Sequence, residues 1–202
     1  MNGPEVARAV RCRISPRRQY VIPLLVGLLA TPFFVVVHEG AHWVAARSCG
    51  TPAELHYRET TVHYDHLPPP PSDLWVVAAG PFVQALLAGG GLFWLYRLRQ
   101  ARRLNAATCA DWLATWIALN GGRWLGVPPI TGLHDEVLLM KAWGVPVRLG
   151  LVLLALTAIT LLVATIRIHP PGGRLVPFTY AGLGGVAGVL LWMHWLGPLL
   201  LP

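Results

Sequence analysis

The sequence is short of charged residues, and this shortage excludes most soluble folds. Asp, Glu, Lys and Arg together make up 12% of the 202 residues, whereas about 25% is usual in a soluble domain. Hydrophobic residues account for 54% and come in blocks of about 20, the length of a helix that crosses a bilayer. We therefore expect a multi-pass integral protein that contacts the lipid bilayer of a cell membrane.

Acidic residues are especially few: 9 Asp and Glu stand against 16 Lys and Arg, for a net charge of +7. A basic chain can bind nucleic acid, but here the arginines cluster beside apolar segments, in residues 1–20 and 97–103. Anionic lipid headgroups and membrane topology explain that placement better. We expect no nucleic acid among the partners.

Cysteine is also scarce, and its positions exclude two kinds of cross-link. Cys12, Cys49 and Cys109 are scattered and show no CxxC spacing. An odd, dispersed set predicts neither a disulfide framework nor a cysteine zinc site. A cleavable signal peptide is not expected either, because the first apolar run is too long and carries a polar motif.

The apolar segments predict about five transmembrane helices. We place them at about Val21–Ala46, Leu74–Tyr96, Ala106–Leu125, Val147–Ile168 and Phe178–Leu201. Between the first two, residues 54–64 are rich in strand-forming types and predict a small β-hairpin. Glycines of the last span, Gly182, Gly184, Gly185 and Gly188, suit close helix packing. The predicted fold is an all-α membrane bundle with a basic segment 1–20, a core 21–145 and two additional C-terminal helices in 146–202.

The first apolar segment contains the sequence His38-Glu39-Gly40-Ala41-His42. Residues four apart share one face of a helix, so His38 and His42 can bind one metal ion. Glu39 is then placed to take a proton from a zinc-activated water. A buried histidine is more often a satisfied core residue than a ligand. Three polar groups in one membrane-grade run are costly, however, and favour a functional metal site.

A catalytic zinc site needs a third protein ligand and one open position. Asp135 follows a proline-rich break after the third span and is the leading candidate, with His134 and Glu136 as alternatives. Acidic residues also favour helix N-termini, so a role at the helix dipole competes for Asp135.

Three further histidines lie in the polar stretch before the second span. They are His56, His63 and His66. Their spacing matches no compact ligand set, so we expect a solvated loop there rather than additional metal ligands.

These motifs resemble those of the site-2 protease family of intramembrane zinc metalloproteases. The matching residues are His38-Glu39-x-x-His42, Ala79-Gly80-Pro81-x-x-Gln84, and Pro128-Pro129 followed by Asp135. The resemblance covers about residues 21–145 and implies a three-span metalloprotease core. It implies one zinc ion held by His38, His42 and Asp135, with Glu39 as the base. It also implies that Gly80, Pro81 and Gln84 take part in substrate binding.

Two positions depart from the family pattern. The family commonly has Asn where this chain has Gln84, which keeps the amide but reaches further. The family aspartate usually sits in Leu-Asp-Gly, whereas the local sequence here is Leu133-His134-Asp135-Glu136.

The function that this resemblance implies is zinc-dependent hydrolysis of peptide bonds in membrane-embedded protein or peptide substrates. A substrate helix must first unwind, because a helix hides its carbonyls. The hairpin at 54–64 and Gln84 could hold the unwound segment as an extended strand. Two other functions stay open. One is a prenyl-protein-type membrane zincin with Glu136 as third ligand, against which Gly80-Pro81 argues; the other is a membrane metal-binding, transport or scaffold protein without hydrolysis.

The sequence makes two conflicting predictions of membrane orientation. With five spans, the basic N-terminus and the 97–103 arginines lie on one side, which the positive-inside rule puts in the cytoplasm. The metal motif then lies toward the opposite face. The family resemblance, in contrast, implies a site nearer the cytoplasm.

Overall fold

The structure is a computed structural model that describes residues 16–63, 74–101, 109–126, 135–169 and 175–201. The helices are α1 Pro16–Ser48, α2 Leu74–Gln100, α3 Cys109–Gly126, α4 Asp135–Ala142, α5 Val147–Ile168 and α6 Leu175–Leu191. A π-helical turn, Trp192–Leu196, joins α6 to the short α7, Gly197–Leu200. Two strands, β1 Ala53–Leu55 and β2 Thr60–Val62, lie between α1 and α2. Most of the basic segment, together with His66, Pro128-Pro129 and His134, lies outside the described residues.

Within the described ranges, four helical segments are long and apolar enough to cross a membrane. They are Arg17–Ser48, Leu74–Gln100, Val147–Ile168 and Val176–Leu200. The third predicted span does form a helix, α3, but it is not one of these four. Its buried residues include Asp111 and Thr115, and it packs against α1, α2 and α5. Polar groups that face other helices are not exposed to lipid, so the buried Asp111 and Thr115 are compatible with a position of α3 inside the bundle.

Helix α2 runs antiparallel to α1. Gln84 Nε2 donates to Phe34 O at 3.2 Å, and two turns further along α1 the ring of His42 lies 2.6 Å from Val76 O. Eight residues forward in α1 therefore correspond to eight residues back in α2. This register places the histidine motif of α1 beside the glycine-proline motif of α2. The same register puts the arginines at the start of α1 and at the end of α2 far from the metal motif. These are Arg17, Arg18, Arg97 and Arg99.

Helix α6 packs parallel to α1 through glycines. A Cβ atom on Gly184 would collide with Leu24 O, and one on Gly188 would collide with Leu28 O. Both obstacles are backbone carbonyls, so only glycine permits this helix separation. The predicted close packing is confirmed at these two glycines, whereas Gly182 faces open space.

Trp116 of α3 joins α1 to α6 inside the bundle. Its Nε1 donates to Thr31 Oγ1 at 3.2 Å, and its ring fills the space that a side chain at Gly185 would need. Trp112 is also buried and packs in the same hydrophobic cluster as Phe34. Both tryptophans therefore stabilise the interior contacts between helices.

Strands β1 and β2 form an antiparallel hairpin that packs on α1. Leu55 pairs with Thr60, and the turn is closed by His56 N, which donates to Glu59 O at 3.0 Å. The hairpin predicted within 54–64 is thus present, with its paired strands in 53–62.

Candidate metal centre

Three side chains from distant parts of the sequence converge near the end of α1. His38 Nε2 lies 3.2 Å from Asp135 Oδ2, and His42 Nε2 lies 3.0 Å from the same oxygen. The two Nε2 atoms are 3.3 Å apart. Both histidines are buried, and the Asp135 side chain is 31% exposed. Among the described residues, these three form a group that could hold a metal ion.

The spacing of the three donor atoms fits a single ion. Zinc binds imidazole nitrogen and carboxylate oxygen at about 2.0–2.2 Å, and tetrahedral angles then put neighbouring donors roughly 3.3–3.5 Å apart. The observed 3.0–3.3 Å is close to that triangle. Two imidazoles and one carboxylate suit zinc and several other divalent metals. Three protein ligands also leave a position open, as in catalytic rather than structural zinc sites.

His42 is oriented by the backbone of α2. Its Nδ1 lies 2.6 Å from Val76 O, and a carbonyl only accepts, so Nδ1 carries the proton. Nε2 is then the ring nitrogen that gives up its proton to bind a metal, and it lies beside His38 and Asp135. Metal-ligating histidines commonly donate their other ring nitrogen in this way, which fixes tautomer and ring orientation. The contact therefore prepares His42 for coordination through Nε2.

Asp135 begins α4, as the helix-dipole alternative requires, but its carboxylate also contacts both histidines. Burial alone would raise the pKa of the Asp135 carboxyl. The contacts with His38 and His42 outweigh burial, and its pKa lies below the usual value. Asp135 is therefore a carboxylate at neutral pH, the form that binds a metal.

The next residue of α4, Glu136, does not belong to this group. It lines a largely apolar cavity of about 660 Å³ together with Trp75, Pro81, Phe82 and Trp143. The structure therefore brings Asp135, and not Glu136, to the two histidines.

Two of the additional histidines lie on the hairpin beside an acidic residue. His56 Nε2 is 3.7 Å and His63 Nε2 is 3.5 Å from carboxylate oxygens of Glu54. The Glu54 side chain is 65% exposed. These are contacts on the protein surface, and contacts of this kind contribute little to stability.

Gly80 brings the backbone of α2 against the two histidines. A Cβ atom at this position would collide with His42 Nε2, and it would lie only 2.6 Å from His38 Cε1 and 2.8 Å from His38 Nε2. The ligating nitrogens would have to move to make room for it. The observed arrangement of the histidines therefore requires glycine at position 80.

Gln84, one turn beyond Gly80, is completely buried. Its Nε2 donates to Phe34 O, and its Oε1 has no hydrogen-bond partner among the described residues. Because Phe34 lies one turn before His38, the amide ties α2 to the helix that carries the histidines. A role of Gln84 in substrate binding stays a prediction.

Glu39 lies between the two histidines in the sequence and is half-buried. Because it is adjacent to His38 in α1, it lies beside the candidate metal group, with its carboxylate within electrostatic range of His38, His42 and Asp135. The hydroxyl of Thr60 in β2 donates to Glu39 O at 2.7 Å. The hairpin is thus attached to the backbone of the residue predicted to be the base.

Sequence reasoning missed two backbone partners of this site. They are Val76 O, which fixes His42, and Glu39 O, which anchors Thr60. Every residue has a carbonyl, so no side-chain pattern marks either one. Only the register of α2 and the hairpin on α1 reveals them.

No protein-family model, curated protein or solved structure matches the chain.

Proposed function

We propose that the protein is a zinc-dependent intramembrane endopeptidase of the site-2 protease type. The observation that carries the proposal is that Asp135 of α4 meets His38 and His42 of α1, a helix that also contains Glu39 and is apolar enough to span a membrane. Ionisable groups at membrane depth are costly and usually serve a function. In this proposal α1, α2 and α3 form the catalytic core, and α3 is a third span shielded by its neighbours.

The residues of the site have separate roles in peptide hydrolysis. The chemistry that zinc supplies when bound is polarisation of the peptide carbonyl and a lower pKa of water. Glu39 accepts the proton of the attacking water and passes it to the leaving amine nitrogen. Val76 O keeps His42 in the coordinating tautomer, and Asp135 contributes the negative charge of the ligand set. Gly80 leaves the histidine nitrogens uncovered.

The proposed substrates are membrane-embedded proteins or peptides with an unwound segment. A regular helix hides its carbonyls in internal hydrogen bonds, so the scissile segment must be extended. In the described part of the chain, β1 and β2 pair only with each other. Each strand therefore has an open edge that can pair with an extended peptide. The attachment of Thr60 to Glu39 O keeps these edges near the base.

The prenyl-protein-type alternative needs Glu136 as the third ligand, and its place in the apolar cavity speaks against that role. A membrane protein that binds metal without hydrolysis needs the same three ligands but not Glu39. The Glu39→Gln substitution therefore distinguishes the proposed protease from the non-catalytic alternative.

The test compares wild type, Glu39→Gln and Glu59→Gln in proteoliposomes at equal zinc content. Glu59 is an exposed acidic residue of the hairpin and serves as the matched control. The probe is a panel of single-span reporter proteins whose spans carry Gly, Asn or Pro near one end. We expect all three proteins to bind about one zinc per chain. Cleavage by Glu39→Gln should fall about a hundred- to ten-thousand-fold, because the proton acceptor is lost.

Two results would contradict the proposal. Equal cleavage by wild type and Glu39→Gln at equal zinc content would exclude Glu39 as the base. A zinc-loaded wild type that cleaves no reporter would favour a metal-binding, transport or scaffold function.

A further inference from the structure

The turn of the hairpin contacts the C-terminal end of the last span. Trp192 Nε1 donates to Tyr57 O at 2.6 Å, although 135 residues separate the two in the sequence. Trp192 is 6% exposed, so this indole is buried and its N–H needs an acceptor. The backbone of the hairpin turn supplies it.

Gly197 provides the space for the Tyr57 ring at the same contact. A Cβ atom on Gly197 would lie 2.7 Å from Tyr57 Cδ2 and 2.8 Å from Tyr57 Cβ. It would also lie 2.6 Å from Trp192 O. A side chain at position 197 would therefore push the hairpin turn away from the helix.

The π-helical turn explains how two residues five apart reach the same tyrosine. In an α-helix, positions 192 and 197 would point about 140° apart. Here Gly197 N donates to Trp192 O, the i to i+5 bond of a π-helix, which brings the two residues nearly above one another. Such turns occur frequently at functional sites.

The packing of α6 on α1 determines the position along the bundle axis at which Trp192 meets the hairpin. Gly184 lies against Leu24, and Gly188 lies against Leu28. If this parallel register continues for four to eight residues beyond Gly188 and Leu28, the π-helical turn packs beside the part of α1 that leads into the metal motif. The end of the last span therefore lies beside the turn of the hairpin.

We propose that the end of the last span is a clamp, formed by Trp192 and Gly197, that positions the hairpin for an extended peptide substrate. The hairpin is held at its turn by this clamp and at β2 by the bond from Thr60 to Glu39 O. Trp192 is a positioning residue, because it acts on the substrate through the hairpin. This inference rests on the proposed function, and it assigns a role to a helix beyond the three-span core.

The clamp is tested with Trp192→Phe, which keeps an aromatic ring but removes the donor, and with Gly197→Ala. The control is Trp195→Phe in the same π-helical turn, where the side chain is 75% exposed. All variants should retain zinc, because no ligand is changed, and zinc content thus serves as the check on folding. The first readout is trypsin cleavage after Arg58, whose side chain at the tip of the hairpin is 60% exposed.

We expect trypsin to cut after Arg58 faster in both clamp variants than in wild type or the control. For cleavage of the reporter panel, KM should rise about 5- to 10-fold, the effect of one lost buried hydrogen bond. The kcat should stay near that of wild type, because the metal ligands and Glu39 are untouched. A general loss of structure would instead lower kcat and zinc content together.

Each other outcome overturns a defined part of the inference. Unchanged trypsin cleavage in both variants would show that Trp192 and Gly197 do not hold the hairpin. Faster trypsin cleavage with unchanged KM would show that the hairpin does not position substrate. If wild type cleaves no reporter at full zinc occupancy, the proposed function itself fails, and the trypsin result then decides whether the clamp exists.

Discussion

Asp135 Oδ2 lies 3.0 Å from His42 Nε2, across 93 positions of sequence. The contact joins the first turn of α4 to the second histidine of α1. In the sequence, α2 and α3 lie between these two helices. Together they lead the chain away from the metal motif and back to it, so that α4 begins beside the histidines. The bundle topology therefore assembles the candidate metal site.

Replacing Asp135 by Ala should weaken zinc binding by more than about 100-fold. Loss of an outer partner of a ligand typically costs 10- to 100-fold in metal affinity, and loss of a ligand should cost more. Zinc affinity can be measured by competition with a chromophoric chelator. Glu136→Ala, one residue along the same helix, should bind zinc as wild type does. The reverse ranking of the two variants would transfer the ligand role to Glu136.

Gly80→Ala should disrupt the site without removing any ligand. The added Cβ atom would collide with His42 Nε2 and crowd His38, and overpacking of this kind typically costs about 1–3 kcal/mol. We expect zinc affinity to fall by about tenfold or more in the same competition measurement. Gly89→Ala is the matched control, because a Cβ atom at Gly89 meets nothing within 4 Å. Equal zinc affinity in both variants would mean that α2 does not lie against the histidines.

Local patterns predicted the parts of this protein that depend on local geometry. His38 and His42 follow from the helical repeat, and the hairpin follows from strand-forming residues. Asp135 was the leading candidate for the third ligand because it follows the proline-rich break after α3, but His134 and Glu136 stayed open as alternatives, since no local pattern connects any of them to the histidines. The bonds of Val76 O to His42 and of Trp192 to Tyr57 depend on helix register, which hydropathy does not encode.

The number of apolar segments differs from the number of membrane-spanning helices predicted from the sequence. Helix α3 forms where the third span was predicted, yet it is not among the four apolar segments. Its buried Asp111 and Thr115 are surrounded by other helices. A helix inside a bundle can carry polar residues that would be costly on a helix facing lipid, so hydropathy alone does not identify every helix of the bundle.

Reporter fusions should place the end of α2 and the end of α6 on opposite sides of the membrane. Helix α2 is antiparallel to α1, and α6 is parallel to it. The positive-inside rule puts the arginine end of α2 in the cytoplasm. Under that rule a phosphatase reporter in the 97–103 loop should be inactive and one fused at Pro202 active, whereas the orientation implied by the family resemblance gives the reverse. A fusion before residue 1 should match the 97–103 reporter in either case. Equal activity of the first two would contradict the antiparallel packing of α2 and the parallel packing of α6 on α1, which put their ends on opposite sides.

Gln84→Met should retain zinc and stability but cleave the reporter panel about tenfold more slowly. The substitution removes one hydrogen bond to Phe34 O, a loss of about 1 kcal/mol. It also removes a buried oxygen that has no partner among the described residues, so the two effects on stability oppose each other. Gln84→Asn keeps the amide and should stay near wild type in cleavage. Zinc content, thermal unfolding and reporter cleavage would be measured for both variants. If Gln84→Met cleaves as fast as wild type, the amide only ties α2 to α1 and has no part in holding substrate.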